Sequence, residues 1–205
     1  MKTKEKIFQT SLNLFSEKGY NAVSIRKIAT EVGIKESSIY NHYPSKKSIL
    51  DSILNRFKKE FNEETIPQQE INQLIKKSPE EFYHTGSELF KEKIKQPEML
   101  KIWKILFTEM YQNPTAKEFF KEEMINKPIK NWTEIFTMMI EKKVIKNLNP
   151  EKLAREYYGY AIYKILEIAL ENELKEEIID EMFKEIEEHA YFLLENIKIK
   201  EDVNL

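Results

Sequence analysis

The chain has no cysteine, and its 205 residues include only four glycines and seven prolines. Without cysteine, neither a disulfide framework nor a thiolate metal site can form. No apolar run reaches the roughly 18 residues that a membrane span requires, and the first fifteen residues lack the apolar core of a signal peptide. We therefore expect a cytoplasmic protein that does not enter a membrane.

Alternating runs of β-branched and aromatic residues are also missing, which argues against strands. Charged residues make up 33% of the chain, and Lys, Glu, Ile and Leu are abundant. These residues favour helices, so the composition predicts an all-α protein.

Catalytic motifs are absent as well. The chain contains no G-x-G-x-x-G, Walker loop, H-E-x-x-H or G-x-S-x-G sequence. Glu185 and His189 are spaced i, i+4 and could together bind a metal ion, but chance is the better explanation in so glutamate-rich a chain. We therefore expect neither an enzyme, nor a cofactor, nor a metal site.

Charge is distributed unevenly along the sequence. Residues 1–50 hold nine basic and four acidic residues, a net charge of +5, whereas residues 51–205 hold 24 basic and 31 acidic residues, a net charge of −7. A basic end on an acidic body suggests contact with a polyanion. From charge alone, solvated helix faces are an equally good explanation.

Helix starts are well defined in the second half. Residues 78–81 read SPEE, 113–115 NPT and 149–151 NPE. In each, Ser or Asn can cap the helix and proline suits its first position. The patterns predict helices near 79–95, 97–112, 114–126, 128–146, 151–172 and 175–198.

The first fifty residues predict short helices separated by glycine. Gly19 ends a first helix, Ser24 caps a second, and Gly33 ends the second. A third short helix would run from about Lys35 to Tyr43, and a longer fourth one would follow Pro44. Two short helices joined by a glycine turn and flanked by longer ones form a helix-turn-helix bundle, which suits DNA binding. Residues 62–77 are polar and ambiguous, and are expected to contain a junction.

This N-terminal segment resembles the DNA-binding region of the tetracycline-repressor-like (TetR) family of bacterial transcription regulators. The resemblance covers about residues 5–55 in order and spacing. The matching residues are Phe15, Lys18, Gly19, Tyr20, Ser24, Ile25, Ile28, Ala29, Val32, Gly33, Ile34, Ile39, Tyr40, His42, Tyr43, Lys46 and Leu50.

The resemblance and the side-chain chemistry together suggest DNA contacts. A helix N-terminus, phenolic hydroxyls, a histidine and a lysine suit phosphate, and the phosphate candidates are Ser24, Tyr40, His42, Tyr43 and Lys46. Arg favours guanine, Asn adenine and Glu the cytosine amino group, and the base-edge candidates are Arg26, Lys35, Glu36, Ser37, Ser38 and Asn41. Glu36 could equally stabilise its helix, because its negative charge lies near the positive N-terminal end of the helix dipole.

Two positions depart from the family pattern. Lys35 stands where the family often has Ser or Thr, and Lys27 where it often has Asp or Glu. Each loses a capping contact worth about 0.5–2 kcal/mol at most, and each adds positive charge near the expected DNA.

The resemblance implies a DNA-binding domain over residues 1–50 and a helical effector-binding and dimerisation domain over 51–205. Aromatic and Met residues at helical spacing favour plain core on their own, but family members bind a small effector in this domain. The ligand candidates, for an apolar or aromatic effector, are Trp103, Phe107, Met110, Trp132, Phe136, Met139, Tyr157 and Tyr160.

Apolar stripes on the helices near 151–172 and 175–198 would fit a four-helix homodimer contact, which the family also uses. The sequence thus suggests a repressor that leaves a palindromic operator when a small molecule binds. The alternative is a helical protein-interaction adaptor that does not bind DNA specifically.

Overall fold

A computed structural model describes residues 2–62, 68–171 and 174–199, and these residues are helical apart from loops and one isolated bridge between Ile145 and Lys198. The predicted all-α class is confirmed. The helices, in chain order, are α1 Thr3–Lys18, α2 Ile25–Val32, α3 Glu36–Tyr40, α4 Lys46–Asn62, α5 Gln68–Lys77, α6 Pro79–Ile94, α7 Pro97–Glu109, α8 Pro114–Phe119, a π-helix Phe120–Asn126, α9 Lys127–Glu141, α10 Pro150–Ala169 and α11 Glu176–Ile197.

The predicted caps set the helix starts. Ser78 Oγ accepts from the Glu81 amide at 3.1 Å, and Asn149 Oδ1 accepts from the Lys152 amide at 2.9 Å. Asn113 Oδ1 accepts from the Thr115 amide at 3.0 Å. Because each bond satisfies an amide that the helix leaves unpaired, helices α6, α8 and α10 begin within a residue of the predicted positions.

Several elements differ from the sequence prediction, among them α9, which ends at Glu141 rather than near residue 146. Helix α5 lies in the segment that the sequence left ambiguous, of which residues 63–67 fall outside the described part. Helix α3 ends at Tyr40 rather than Tyr43, because Pro44 disfavours helical backbone in the residue before it. The predicted helix 114–126 changes to a π-helix at Phe120, and the Tyr158 hydroxyl donates to the Met124 carbonyl there at 2.8 Å.

The chain divides into two compact units. Unit 1 comprises Met1–Glu63 and Gln96–Lys121, and unit 2 comprises Glu64–Lys95 and Glu122–Leu205. Unit 1 therefore takes in α7, α8 and the part of α4 beyond residue 50, all of which the sequence had assigned to a second domain over residues 51–205. Helices α1 to α3 are too short to bury much apolar surface alone, so the faces of α4 and α7 complete their core.

Unit 1 has an apolar core and a basic charge balance. Its most buried large side chains include Phe15, Ile28, Ile39, Leu50 and Trp103. It carries 16 basic and 10 acidic residues, a net charge of +6, and the remaining 17 basic and 25 acidic residues give unit 2 a net charge of −8. The charge asymmetry of the sequence is thus also an asymmetry between the units.

Unit 2 is built from α5, α6, α9, α10 and α11. The apolar stripe of α10 packs inward through Leu153, Ala161 and Ile165, and that of α11 through Met182 and Ile186. Many of the apolar residues that the sequence assigned to a dimer contact are therefore buried within one protomer. No helix among the described residues is long and apolar enough to cross a bilayer.

Candidate DNA-binding surface and apolar cavity

The turn between α2 and α3 is fixed by backbone geometry. Ser24 Oγ accepts from the Lys27 amide at 3.1 Å and caps α2. Gly33 ends α2 with φ +78° and ψ 34°, a left-handed conformation that side chains disfavour. The amide of Ile34 donates to the Ala29 carbonyl at 3.0 Å. These contacts close the turn and set the direction in which α3 leaves it.

Helix α3 is anchored by one residue and exposes most of the others. Ile39 is fully buried, whereas Tyr40 is 49% exposed. The remaining exposed candidates here are Lys35, Glu36, Ser37, Asn41 and His42, and Ser38 is half-buried. The expectation that the polar side of α3 faces solvent is therefore met by the structure.

Lys46 holds the turn that follows α1. Its ammonium donates to the carbonyls of Tyr20 and Val23, both at 2.9 Å, and lies 4.1 Å from the centroid of the Tyr20 ring. Burial lowers the pKa of Lys46, and the nearby Glu109 carboxylate partly offsets that effect.

Glu109 on α7 braces the same turn from the other side, within unit 1. Its side chain is only 5% exposed, and its Oε1 accepts from the Tyr20 amide at 2.9 Å. A buried carboxylate is costly unless it is hydrogen-bonded. Glu109 and Lys46 together therefore fix the backbone that enters α2. The sequence alone does not reveal this role, because Glu109 lies 89 residues from Tyr20.

Unit 2 encloses a small apolar cavity. Its lining residues are Pro79, Tyr83, Trp132, Phe136, Met139, Tyr157, Ala190, Leu193 and Leu194. The centroids of the Trp132 and Tyr157 rings are 4.3 Å apart, and those of Tyr83 and Tyr157 are 5.7 Å apart. The volume that the centre of a water-sized sphere can occupy is about 10 Å³, roughly what a single water molecule needs.

Two phenols supply the polar groups of this cavity. Burial raises the pKa of Tyr83 and raises that of Tyr157 well above its ordinary value. Both therefore stay neutral at physiological pH and can donate a hydrogen bond. An apolar, ring-lined space with two phenols suits an uncharged molecule that has an aromatic or aliphatic body.

Comparison with known proteins identifies the N-terminal region. Residues 7–53 match the family model described as bacterial regulatory proteins, tetR family. Residues 7–53 are therefore similar to the N-terminal region of TetR-family regulators. The match confirms the predicted resemblance over residues 7–53.

Curated regulators match a short part of the chain. The chain is 48% identical over 48 residues, 23% of its length, to IcaR, a negative regulator of the icaADBC biofilm operon from Staphylococcus aureus strain Newman. It spans only 20% to 26% of the length of the curated relatives that it matches.

Solved structures show that the whole fold is shared. A TetR-family regulator from Pseudomonas syringae pv. tomato DC3000 has a TM-score of 0.63 at 13% identity, over 98% of this chain and 99% of its own. The flavonoid-responsive regulator FrrA has a TM-score of 0.65 at 17% identity, over 97% and 98%.

One candidate for a DNA contact is more buried than the TetR-family resemblance suggests. Tyr43 is only 5% exposed, because its amide bonds to the Ile39 carbonyl at 2.9 Å and its ring turns into the bundle. Its side chain is thus mainly a core residue, in contrast to Tyr40. Ser24 and Arg26 remain exposed, as expected.

The ligand candidates divide between the two units. Trp132, Phe136, Met139 and Tyr157 line the cavity, together with Tyr83, which the sequence analysis did not select. Trp103, Phe107 and Met110 belong to unit 1 and do not line it. Tyr160 stacks on His189, with ring centroids 4.2 Å apart. Helical spacing indicated burial for these residues but not which unit they pack in.

Glu185 and His189, which the sequence spaces i, i+4, each contact another side chain. Glu185 is paired with Lys164 on α10, and His189 packs against Tyr160. His84 lies outside the cavity lining, with its Nδ1 2.7 Å from Glu187 Oε1. Across the described ranges, no group of three or more possible ligands from His, Cys, Asp and Glu could hold a metal ion.

Replacing Glu109 should loosen the turn before α2. We expect Glu109→Ala to lower the free energy of unfolding by about 1–3 kcal/mol, because the Tyr20 amide loses its acceptor. Glu109→Gln keeps an acceptor oxygen and should cost less. Urea denaturation measures both, with Glu118→Ala, an exposed residue of α8, as the control. Equal stabilities of Glu109→Ala and the control would show that the bond adds nothing.

Proposed function

We propose that this chain is a homodimeric TetR-family repressor that binds a palindromic operator and releases it when a small uncharged molecule enters unit 2. The observation that carries the proposal is the exposure of α3, which Ile39 anchors while its polar residues face solvent. The match of residues 7–53 to the tetR family model and the basic charge of unit 1 support the same function.

Each half of the operator would be read by one α3. Phosphate contacts from Ser24, Tyr40 and His42 would position the protomer, while Arg26 and Asn41 would reach base edges. Lys46 would contribute a positive potential from its place at the turn. Two such heads, related by two-fold symmetry, would occupy half-sites about one helical turn apart or a multiple of it.

The proposed dimer contact uses an exposed face of α10 and α11. Gly159, Tyr163, Leu166 and Leu170 are spaced four, three and four residues apart, so they share one side of α10. Leu170 is 87% exposed, and Phe192 on α11 is 66% exposed. Such apolar residues are costly to leave in water, and a second copy would cover them.

The effector would act by shifting a conformational balance. The cavity is too small for a drug-sized molecule as it stands, so binding requires unit 2 to widen. A ligand that prefers the widened state changes DNA affinity only by its difference in affinity between the two states. The backbone connects the units at residues 63–64, 95–96 and 121–122, and α6, which supplies Tyr83, leads directly into α7, which supplies Glu109.

Nitrobenzene, a small uncharged aromatic quencher, should enter the cavity. In a Trp103→Phe protein the remaining tryptophan is Trp132, and we expect saturable quenching of its fluorescence. Adding Ala190→Leu, which fills the cavity, should weaken that binding at least several-fold. A Trp132→Phe protein reports from Trp103 in unit 1 and should show no saturable quenching. Equal quenching in all three proteins would exclude the cavity as the binding site.

The DNA-binding function is tested by a gel shift with the region upstream of the chain's own gene. We expect a specific shift that survives excess unrelated DNA and weakens steeply with salt. Binding that is insensitive to salt and equal on unrelated DNA would reject operator recognition. It would favour the alternative of a protein-interaction adaptor.

A further inference from the structure

The start of α1 presents a group of exposed lysines. Lys2, Lys4 and Lys6 are all exposed, and none of them forms an ion pair with a described residue. The acidic residue among them, Glu5, is engaged elsewhere: Gln9 donates to its Oε1 at 3.2 Å, and Arg56 lies 3.9 Å from the same oxygen. The positive charge of this group, named here the lysine edge, is therefore left without a local partner.

Lys4 places the lysine edge beside the segment that follows α3. Its Nζ lies 5.5 Å from the centroid of the Tyr43 ring. Tyr43 comes directly after Asn41 and His42, which are exposed. The stem of Lys4 can rest on the buried ring while the ammonium stays in water, as long cationic side chains commonly do. This arrangement leaves the donors of the Lys4 ammonium available to a phosphate.

We propose that the lysine edge is a second DNA-contacting surface, in which Lys4 binds a backbone phosphate that flanks the bases read by α3. The inference rests on the proposed DNA-binding function. The partner is duplex DNA because the lysine edge continues the surface that begins at Asn41 and His42. A lysine that binds phosphate adds affinity but no base discrimination, so the lysine edge strengthens binding to every sequence.

The salt dependence of binding tests this role. Each neutralised phosphate contributes about 0.9 to the slope of log K against log salt concentration. If Lys4 makes one contact per protomer, Lys4→Gln should reduce the slope by about 2 for a dimer. Affinity should fall by the same factor on operator and on unrelated DNA. Lys4→Arg should retain the wild-type slope.

Lys130→Gln, at an exposed position on α9 of unit 2, is the matched control and should leave the slope unchanged. Melting temperatures of all variants establish that they are folded. If wild type binds the operator and Lys4→Gln keeps the wild-type slope, the lysine edge is only a solvated helix face and this inference is wrong. A loss confined to the operator would also overturn it. If wild type binds no DNA, the proposed function itself fails.

Discussion

The double substitution Arg26→Ala/Tyr40→Ala should lower affinity for the operator by about 30-fold or more. Each base or phosphate contact of this kind is worth roughly 1–3 kcal/mol, and a dimer loses the contacts of two protomers. The fold should be retained, because Arg26 is exposed and Tyr40 is 49% exposed. Fluorescence anisotropy with labelled upstream DNA measures the change.

Tyr111→Ala provides the control for this substitution. Tyr111 is 86% exposed and belongs to unit 1, like Tyr40, but follows α7 rather than lying on α3. Its removal should leave DNA affinity within about twofold of wild type, as is usual for surface positions away from an interface. Wild-type affinity in the Arg26→Ala/Tyr40→Ala protein would remove both residues from the set of contacts.

Placing a charge on the exposed face of α10 should separate the proposed dimer. Leu166→Glu buries a carboxylate in each protomer's contact, and an unpaired buried charge costs several kcal/mol. We expect analytical ultracentrifugation to show a monomer at concentrations where wild type is a dimer. Because paired heads bind DNA far more tightly than single ones, operator affinity should fall by about 100-fold or more.

Leu89→Glu makes the same chemical change at a similar exposure. Leu89 is 39% exposed on α6, compared with 40% for Leu166. If exposure alone decided the outcome, both variants would behave alike. We expect Leu89→Glu to remain dimeric. A dimeric Leu166→Glu protein would show that the contact lies on another face.

Local chemistry made the helix starts and the α2–α3 turn predictable. Ser24, Gly33 and Asn149 act on backbone groups within a few residues, so their roles can be derived from sequence spacing. The polar side of α3 was predictable for a similar reason, since Ile39 is the one apolar residue that must turn inward. Helix α5 was not predicted, because its one short apolar stripe, Ile71, Leu74 and Ile75, lies in an otherwise polar segment.

Contacts between helices that are distant in sequence determine the features that the sequence did not predict. Trp103 and Trp132 lie in equally apolar helical patterns, yet one packs in unit 1 and the other lines the cavity of unit 2. The pairing of Glu109 with the Tyr20 amide, and the burial of Tyr43, also depend on how the helices meet. Spacing along one helix predicts which side is buried, but not which partner covers it.

Selection from random-sequence DNA shows whether two α3 helices read the operator as a symmetric pair. Wild-type protein is mixed with a library of randomised duplexes, and the bound fraction is amplified and sequenced through several rounds. We expect enrichment of an inverted repeat whose half-sites are about one helical turn apart or a multiple of it. Enrichment of a single asymmetric site, or of no sequence at all, would contradict a symmetric pair of α3 helices reading the operator.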